Sequence, residues 1–219
     1  MFPIGDENHG RRSMPVVTIA LIAINILVFF LELSGGQAFI REWAFIPVRF
    51  GSNPSADAVT VLSAMFMHGG WLHLGGNMLY LWIFGDNVED ALGPFKFLIF
   101  YLVCGVAATF AQYVVFPGSR IPNVGASGAI AGVLGAYLLM FPHARVRVLV
   151  YHQIVAMPAL IVLGLWIVLQ IFSGVGSIAT TSQTQETGGV AYMAHVGGFV
   201  AGFLLILLLR GRSDRSQAV

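Results

Sequence analysis

Charged residues are scarce in this chain. They make up 10% of its 219 residues, whereas 57% are hydrophobic, and the mean hydropathy is +0.82. A soluble domain has about 25% charged residues, so this chain cannot be covering an ordinary water-facing surface. The net charge of +1 gives no electrostatic reason to expect nucleic acid as a partner. The composition therefore predicts a domain that lies in a membrane, with lipids as its surroundings.

Cysteine is also nearly absent. The one cysteine, Cys104, lies inside an apolar run, and a single thiol excludes an intrachain disulfide framework. We interpret it as a buried, unreactive thiol rather than a nucleophile.

The apolar residues form six long runs, which predict an all-α bundle of six transmembrane helices. Their approximate bounds are 14–33, 70–90, 95–115, 126–141, 153–173 and 189–209. The first run follows two arginines, as a signal peptide would, but it is long enough to span and no small-residue cleavage site follows it. We therefore expect one six-span domain at 14–209, with a cytoplasmic N-terminal tail at 1–13 and a cytoplasmic C-terminal tail at 210–219.

Two connecting segments differ in character. The segment 35–69 is too polar and broken to span, yet it is rich in aromatic residues, which predicts a loop lying partly in the membrane interface. The segment 174–188 is polar and glycine-rich, which is typical of a mobile loop.

The basic residues predict the orientation, because cytoplasmic loops carry an excess of lysine and arginine. With both ends inside, the outer segments hold three basic residues, Arg41, Arg49 and Arg120. The inner segments then hold the other eight, which are Arg11, Arg12, Lys96, Arg145, Arg147, Arg210, Arg212 and Arg215. This excess favours an N-in, C-in protein.

A few polar side chains lie inside the apolar runs, where they are expensive and therefore functional candidates. They are His73 and Asn77 in the second run, Ser127 at the start of the fourth and His195 in the sixth. Counted from the inner ends of their helices, Ser127 and His195 both lie about 22 Å up and His73 about 24 Å, at 1.5 Å per residue. Three helices thus bring polar groups to one depth, below the outer surface.

Small residues repeat at spacings of four next to two of these positions, as Gly128 and Gly132 beside Ser127 and as Gly198 and Gly202 beside His195. Such repeats let helices approach closely, so we expect the imidazole to reach the hydroxyl and take its proton. The fourth run is short, which leaves a donor-rich helix N-terminus in the membrane zone, suited to an oxyanion.

Each residue taken singly has a simpler interpretation. Ser127 would serve as a small packing residue, His195 as a hydrogen-bonded core histidine and Asn77 as a residue that hydrogen-bonds to a neighbouring helix. A zinc site of His68, His73 and His195 is a further alternative, but an intramembrane metalloprotease would show an H-E-x-x-H string, and none occurs. An aspartyl protease would need a pair of aspartates at matching depth in the spans, and the runs contain no such pair. A transporter would carry charged residues along a path or broken repeats. The four polar groups together favour catalysis.

At these residues the chain resembles the rhomboid intramembrane serine proteases, over about residues 15–209. The motifs are H-x4-H-x3-N at His68, His73 and Asn77, G-x-S-G at 125–128, and A-H-x2-G-x3-G at Ala194, His195, Gly198 and Gly202. The resemblance implies a catalytic dyad of Ser127 and His195 without an acidic third member. It further implies that the protein cuts single-span membrane proteins without a metal or cofactor. It also implies an oxyanion hole from His73, Asn77 and the Ser127 backbone N–H, supported by His68, Gly125, Gly128, Gly198 and Gly202.

The chain departs from the family pattern at two places. Some members have an aromatic residue four positions after the serine, stacked on the histidine; here that residue is Ala131, so His195 must be oriented from elsewhere, with Gly198 packing as a candidate. The Trp-Arg pair that some members have in the first loop is missing as well.

The rival interpretation of the function is a catalytically silent relative that binds partner helices. The compact architecture favours a bacterial plasma membrane.

Overall fold

The computed structural model describes residues 2–7, 13–181 and 190–209. The elements in the first half are β1 (Phe2–Asp6), α1 (Val16–Trp43), α2 (Pro47–Ser52), α3 (Pro54–Asp57), α4 (Thr60–Ser63), a 3-10 turn (Ala64–Phe66), α5 (Trp71–Leu92) and α6 (Pro94–Val115). They are followed by α7 (Ser127–Met140), β2 (Arg145–Val150), β3 (Gln153–Pro158), α8 (Ala159–Thr181) and α9 (Tyr192–Leu209). The protein is mostly helical.

Among the described residues, four helices are long and apolar enough to cross a membrane: α1, α6, α8 (over Ala159–Ile178) and α9. The other two predicted spans correspond to α5 and α7. Helix α5 carries Asp86, Glu89 and Asp90 near its C-terminal end, and α7 has only 14 residues, a length of about 21 Å. The membrane character predicted from composition is confirmed, while the count of six spans depends on α5 and α7.

Helix α1 continues well beyond the predicted boundary at residue 33. The backbone breaks at Gly36, with φ 56° and ψ −144°, and helix then resumes to Trp43. Glycine has no Cβ and adopts a positive φ readily, so Gly36 redirects the helix instead of ending it. The segment predicted as a loop from residue 35 therefore becomes non-helical only at Ala44, and it then forms the short helices α2 to α4 and the 3-10 turn.

A three-stranded antiparallel sheet, in the order β1-β2-β3, corrects the all-α prediction. Strand β2 alternates exposed arginines with fully buried Val146 and Val148. This is the period-two pattern of a strand with one buried face, and it was available in the sequence. Strand β3 occupies 153–158, which was predicted as the beginning of the fifth span, so that helix begins only at Ala159.

Strand β1 lies within the predicted N-terminal tail and is attached to the bundle by Asp6. The Asp6 Oδ2 atom accepts hydrogen bonds from Tyr137 Oη at 2.7 Å and from Asn87 Nδ2. Burial raises the pKa of this carboxyl above its ordinary value. The strand thus connects the C-terminal ends of α5 and α7.

Helix α7 forms the centre of the bundle. Every residue from Gly128 to Tyr137 is buried, as expected for a helix that is apolar all round and enclosed by other elements. Its neighbours are α5, α6, α8 and α9. Ser127 is the first residue of this enclosed helix, so its position depends on the packing of α7 against several helices.

Arg49 fastens the first loop. Its Nε atom lies 2.6 Å from Asp57 Oδ2, its Nη2 donates to the Ala44 carbonyl at 2.7 Å, and its Nη1 donates to the Arg41 carbonyl. A cation is favourable at the C-terminal end of a helix, here α1. These bonds attach the loop to α1 in the absence of a Trp-Arg pair.

The buried carboxylate of Glu89 caps α1 from a neighbouring helix. It accepts hydrogen bonds from the backbone N–H groups of Val17 (2.9 Å) and Thr18 (2.7 Å) and from Thr18 Oγ1 (2.8 Å). We expect Glu89→Ala to lower the free energy of unfolding in detergent by about 2–4 kcal/mol, because three donors lose a charged acceptor. Glu42→Ala is the matched control, since it removes an exposed carboxylate near the other end of α1 and should cost about 0.5 kcal/mol or less. Equal effects of the two changes would refute the capping interpretation.

Candidate active site

Ser127 and His195 are in contact. Ser127 is the first residue of α7, His195 lies in the first turn of α9, and the His195 Nε2 atom is 2.8 Å from Ser127 Oγ. This is hydrogen-bonding distance. His195 is buried and Ser127 is partly exposed, so solvent reaches this pair at the serine.

Glycines let the two helices come this close. A Cβ atom added to Gly198 would lie 2.0 Å from the carbonyl oxygen of Gly128, and one added to Gly202 would lie 2.0 Å from that of Gly132. Backbone therefore packs directly on backbone at two successive turns, the geometry that small residues at spacings of four allow. The distance between α7 and α9 is set by these contacts.

Helix α8 contacts the other side of His195. The Oε1 atom of Gln170 lies 2.7 Å from His195 Nδ1. The Trp166 ring packs against the imidazole with centroids 5.8 Å apart and planes inclined by 33°. An aromatic contact is thus present although Ala131 stands at the position expected to supply it, and the histidine is oriented from α8.

Neither α8 residue was singled out from the sequence. Gln170 is the one polar amide in the apolar run 159–172. The rule that polar side chains inside spans are functional candidates applies to it as it does to Asn77, and this was the signal that could have found it.

His73 lies beside the N-terminus of α7. A Cβ atom on Gly125 would approach the His73 ring to 2.9 Å and Ser127 Oγ to 3.5 Å, and Gly125 also has a φ of 134°, which favours glycine. The Gly69 backbone N–H donates to His73 Nδ1 at 3.3 Å. A neutral ring with an accepting Nδ1 carries its proton on Nε2, the nitrogen that faces Gly125.

Asn77 and His68 are buried near His73. Within the part of the chain that the structure describes, the Asn77 Nδ2 group has no hydrogen-bond partner. The His68 ring packs on the His73 ring at 5.2 Å, and its backbone N–H donates to Glu32 Oε2 at 3.0 Å. His68 therefore supports the His73 ring by packing against it. An unpaired buried donor such as that of Asn77 calls for an explanation, and a ligand oxygen would supply one.

The first loop positions the segment that precedes the serine. The Asn123 N–H donates to the Phe45 carbonyl at 2.8 Å, and the Gly125 N–H donates to the Ala64 carbonyl at 2.9 Å. A cavity of about 20 Å³ lies next to Ser127 and is lined also by Met65 and Thr109. It has room for about one water molecule.

A three-histidine metal site was one alternative open from the sequence. In residues 2–7, 13–181 and 190–209, no three His, Cys, Asp or Glu side chains are grouped as metal ligands would be. His68 and His73 contact each other through their rings, while His195 contacts Ser127 and Gln170.

The four long apolar helices define an integral membrane protein. The family model of the rhomboid domain matches residues 55–212, well over half of the chain. The chain therefore belongs to the rhomboid family, and the resemblance recognised from the motifs is confirmed.

Curated relatives extend this likeness beyond the matched domain. The chain is 31% identical to the rhomboid protease GluP of Bacillus subtilis, over 88% of this chain and 34% of that protein. It is 29% identical to the mitochondrial rhomboid protein 1 of Saccharomyces cerevisiae, over 84% of this chain and 51% of that protein. It is 36% identical to the mitochondrial presenilin-associated rhomboid-like protein of Bos taurus, over 65% of this chain and 36% of that protein.

The chain thus matches between a third and about half of the length of these relatives. The family includes proteases, since GluP is named as one. The other two relatives carry a mitochondrial location in their names, which weighs against assigning a bacterial plasma membrane from the architecture alone.

Proposed function

We propose that this protein is an intramembrane serine endopeptidase that hydrolyses peptide bonds in or near the transmembrane segments of single-span membrane proteins. The observation that carries the proposal is the 2.8 Å contact between His195 Nε2 and Ser127 Oγ at the start of a buried helix. A hydroxyl that bonds to an imidazole becomes a nucleophile when the imidazole takes its proton.

The proposed reaction begins when Ser127 Oγ attacks the substrate carbonyl carbon and His195 Nε2 accepts the hydroxyl proton. The carbonyl oxygen becomes an oxyanion, for which the Ser127 backbone N–H, His73 Nε2–H and Asn77 Nδ2 are the proposed donors. His195 then returns the proton to the leaving amine, and an acyl-enzyme remains. A water molecule, activated by the same imidazole, hydrolyses that ester and frees Ser127. The cavity beside Ser127 supports this step, since it has room for such a water molecule.

The proposal includes six spans, with α5 and α7 crossing the membrane in addition to the four long apolar helices. Burial of α7 by its neighbours supports this count, because a short helix can begin at membrane depth where protein covers its free N–H groups.

We further propose that the first loop lies in the outer interface and that both termini are cytoplasmic. The orientation is proposed because most of the basic residues then lie in the inner segments. Fractionation of the native host, combined with labelling of single introduced cysteines, tests location and orientation.

The experiment that tests the proposal combines labelling with cleavage. Purified protein is reconstituted in liposomes with a single-span substrate and, separately, is treated with a fluorophosphonate probe. We expect a defined cleavage product, and a covalent adduct that peptide mass spectrometry places on Ser127. A folded protein that captures the substrate helix but neither cuts it nor takes up the probe would be a silent binding relative, and the protease proposal would be wrong.

Removing the Asn77 amide tests the oxyanion assignment. We expect Asn77→Ala to lower kcat roughly a hundredfold, the usual loss for one oxyanion donor. Asn87→Ala is the matched control. Asn87 lies on the same helix as Asn77, but its amide bonds to Asp6 of β1, so this change should leave kcat within a few-fold. Steady-state cleavage rates in liposomes measure both. An unchanged kcat in Asn77→Ala would remove this residue from the oxyanion hole.

A further inference from the structure

We propose that Gln170 is a positioning residue of this site, a third member of the array that holds the proton of His195 on Nδ1. The inference rests on the proposed protease function and names a residue that the family motifs do not contain. Its basis is the 2.7 Å contact between Gln170 Oε1 and His195 Nδ1, on the opposite side of the ring from Ser127.

The proton arrangement follows from the two contacts. A neutral imidazole has one N–H donor and one bare nitrogen. An amide oxygen only accepts, so Gln170 Oε1 binds the ring when the proton is on Nδ1. The bare nitrogen is then Nε2, which faces Ser127 Oγ and can accept its proton. The opposite tautomer would direct an N–H at the hydroxyl, and the imidazole would be useless as a base.

Stacking alone cannot select this tautomer. The Trp166 ring packs against the imidazole with centroids 5.8 Å apart and planes inclined by 33°, which restrains the tilt of the imidazole but treats its two ring nitrogens alike. The Gln170 contact is directional and lies at one nitrogen. Trp166 and Gln170 are four residues apart on α8, so both project from the same helical face toward His195, and the two contacts restrain different motions of the ring.

An amide suits this position better than a carboxylate would. The familiar third member of a serine protease array is an aspartate, but an isolated ionised carboxylate is costly to hold in an apolar environment. The run 159–172 around Gln170 contains no charged residue. The amide dipole supplies an acceptor oxygen without a net charge, and that oxygen can also bind the N–H of the imidazolium formed during the reaction.

The test compares two substitutions that differ in one property. Gln170→Met keeps the length of the side chain and removes the acceptor, while Gln170→Glu keeps an accepting oxygen in either protonation state. We expect Gln170→Met to lower kcat roughly 10- to 100-fold, the loss that follows when the hydrogen-bond partner behind a metal-bound histidine is removed, with KM within about twofold. Gln170→Glu should restore kcat to within a few-fold of the wild type. Leu169→Met, on the exposed neighbouring position, is the matched control and should change neither constant.

A second measurement does not depend on cleavage. In protein with ¹⁵N-labelled histidine, we expect the His195 signals to report a protonated Nδ1 in the wild type and in Gln170→Glu, with the fraction protonated on Nε2 rising in Gln170→Met. A wild-type ring protonated on Nε2 would overturn the inference even if Gln170→Met did not fold. So would a folded Gln170→Met with wild-type kcat, or a folded Gln170→Glu as slow as Gln170→Met. If the wild type itself neither cleaves nor labels at Ser127, the proposed protease function fails instead.

Discussion

Replacing Ser127 by alanine is expected to abolish cleavage, lowering kcat/KM by at least about 10⁴-fold. The proposed chemistry needs an oxygen at this position to form the acyl-enzyme, and the structure has Ser127 Oγ within 2.8 Å of His195 Nε2. The change removes one atom at the first position of α7, so the fold should survive. The assay is cleavage of a single-span substrate in liposomes, with thermal unfolding in detergent as the check on folding.

The same loss is expected for His195→Ala, and the double variant should be no slower than either single one. Two residues that act as one unit give strongly non-additive effects, so this pattern separates a dyad from two independent contributions. Ser52→Ala and His152→Ala, at exposed positions, are the matched controls and should cleave normally. Full activity in either Ser127→Ala or His195→Ala would end the proposed mechanism.

Substituting valine for Gly202 is expected to prevent folding of the bundle. Its Cβ would lie 2.0 Å from the Gly132 carbonyl oxygen and 2.5 Å from the Gly132 Cα, which are backbone atoms that cannot move aside as a side chain can. Helices α7 and α9 would have to separate along their contact. Overpacking of this kind costs about 3 kcal/mol or more where backbone must shift. The measurement is the yield of monodisperse protein in detergent and its unfolding temperature.

Gly164→Ala provides the control for this change. A Cβ atom at Gly164, inside α8, would meet no atom within 4 Å, and alanine is about 1 kcal/mol more favourable than glycine in a helix interior. We expect this variant to be as stable as the wild type or slightly more so. If Gly202→Val folded with an unfolding temperature close to that of Gly164→Ala, the proposed direct packing of α7 on α9 would be wrong.

Much of the architecture could be predicted from local pattern. The long apolar runs predicted the four long helices because a segment that contacts lipid must be apolar along its length and satisfy its own backbone hydrogen bonds. The motifs around His73, Ser127 and His195 were sufficient to recognise the family, which the domain match confirms. The roles given to these residues in catalysis stay predictions.

Other features were misjudged for identifiable reasons. The apolar run 153–173 predicts one helix because Gln153–Pro158 is largely apolar, yet those residues pair with β2. Hydropathy alone does not distinguish a short apolar strand from the beginning of a helix. Gln170 stands alone in an apolar run and belongs to no motif, so only its contact with His195 Nδ1 in the structure indicates a role for it.

The sequence by itself determined that this chain lies in a membrane, that it is mostly helical and that it belongs to the rhomboid family, because these properties follow from composition and from residues close together in the chain. Only the tertiary structure decided what surrounds the imidazole of His195. Ser127 and Gln170 lie 68 and 25 residues away from it along the chain. Contacts between helices depend on the rotation and separation of each pair, which are set by packing between distant segments such as Gly132 and Gly202.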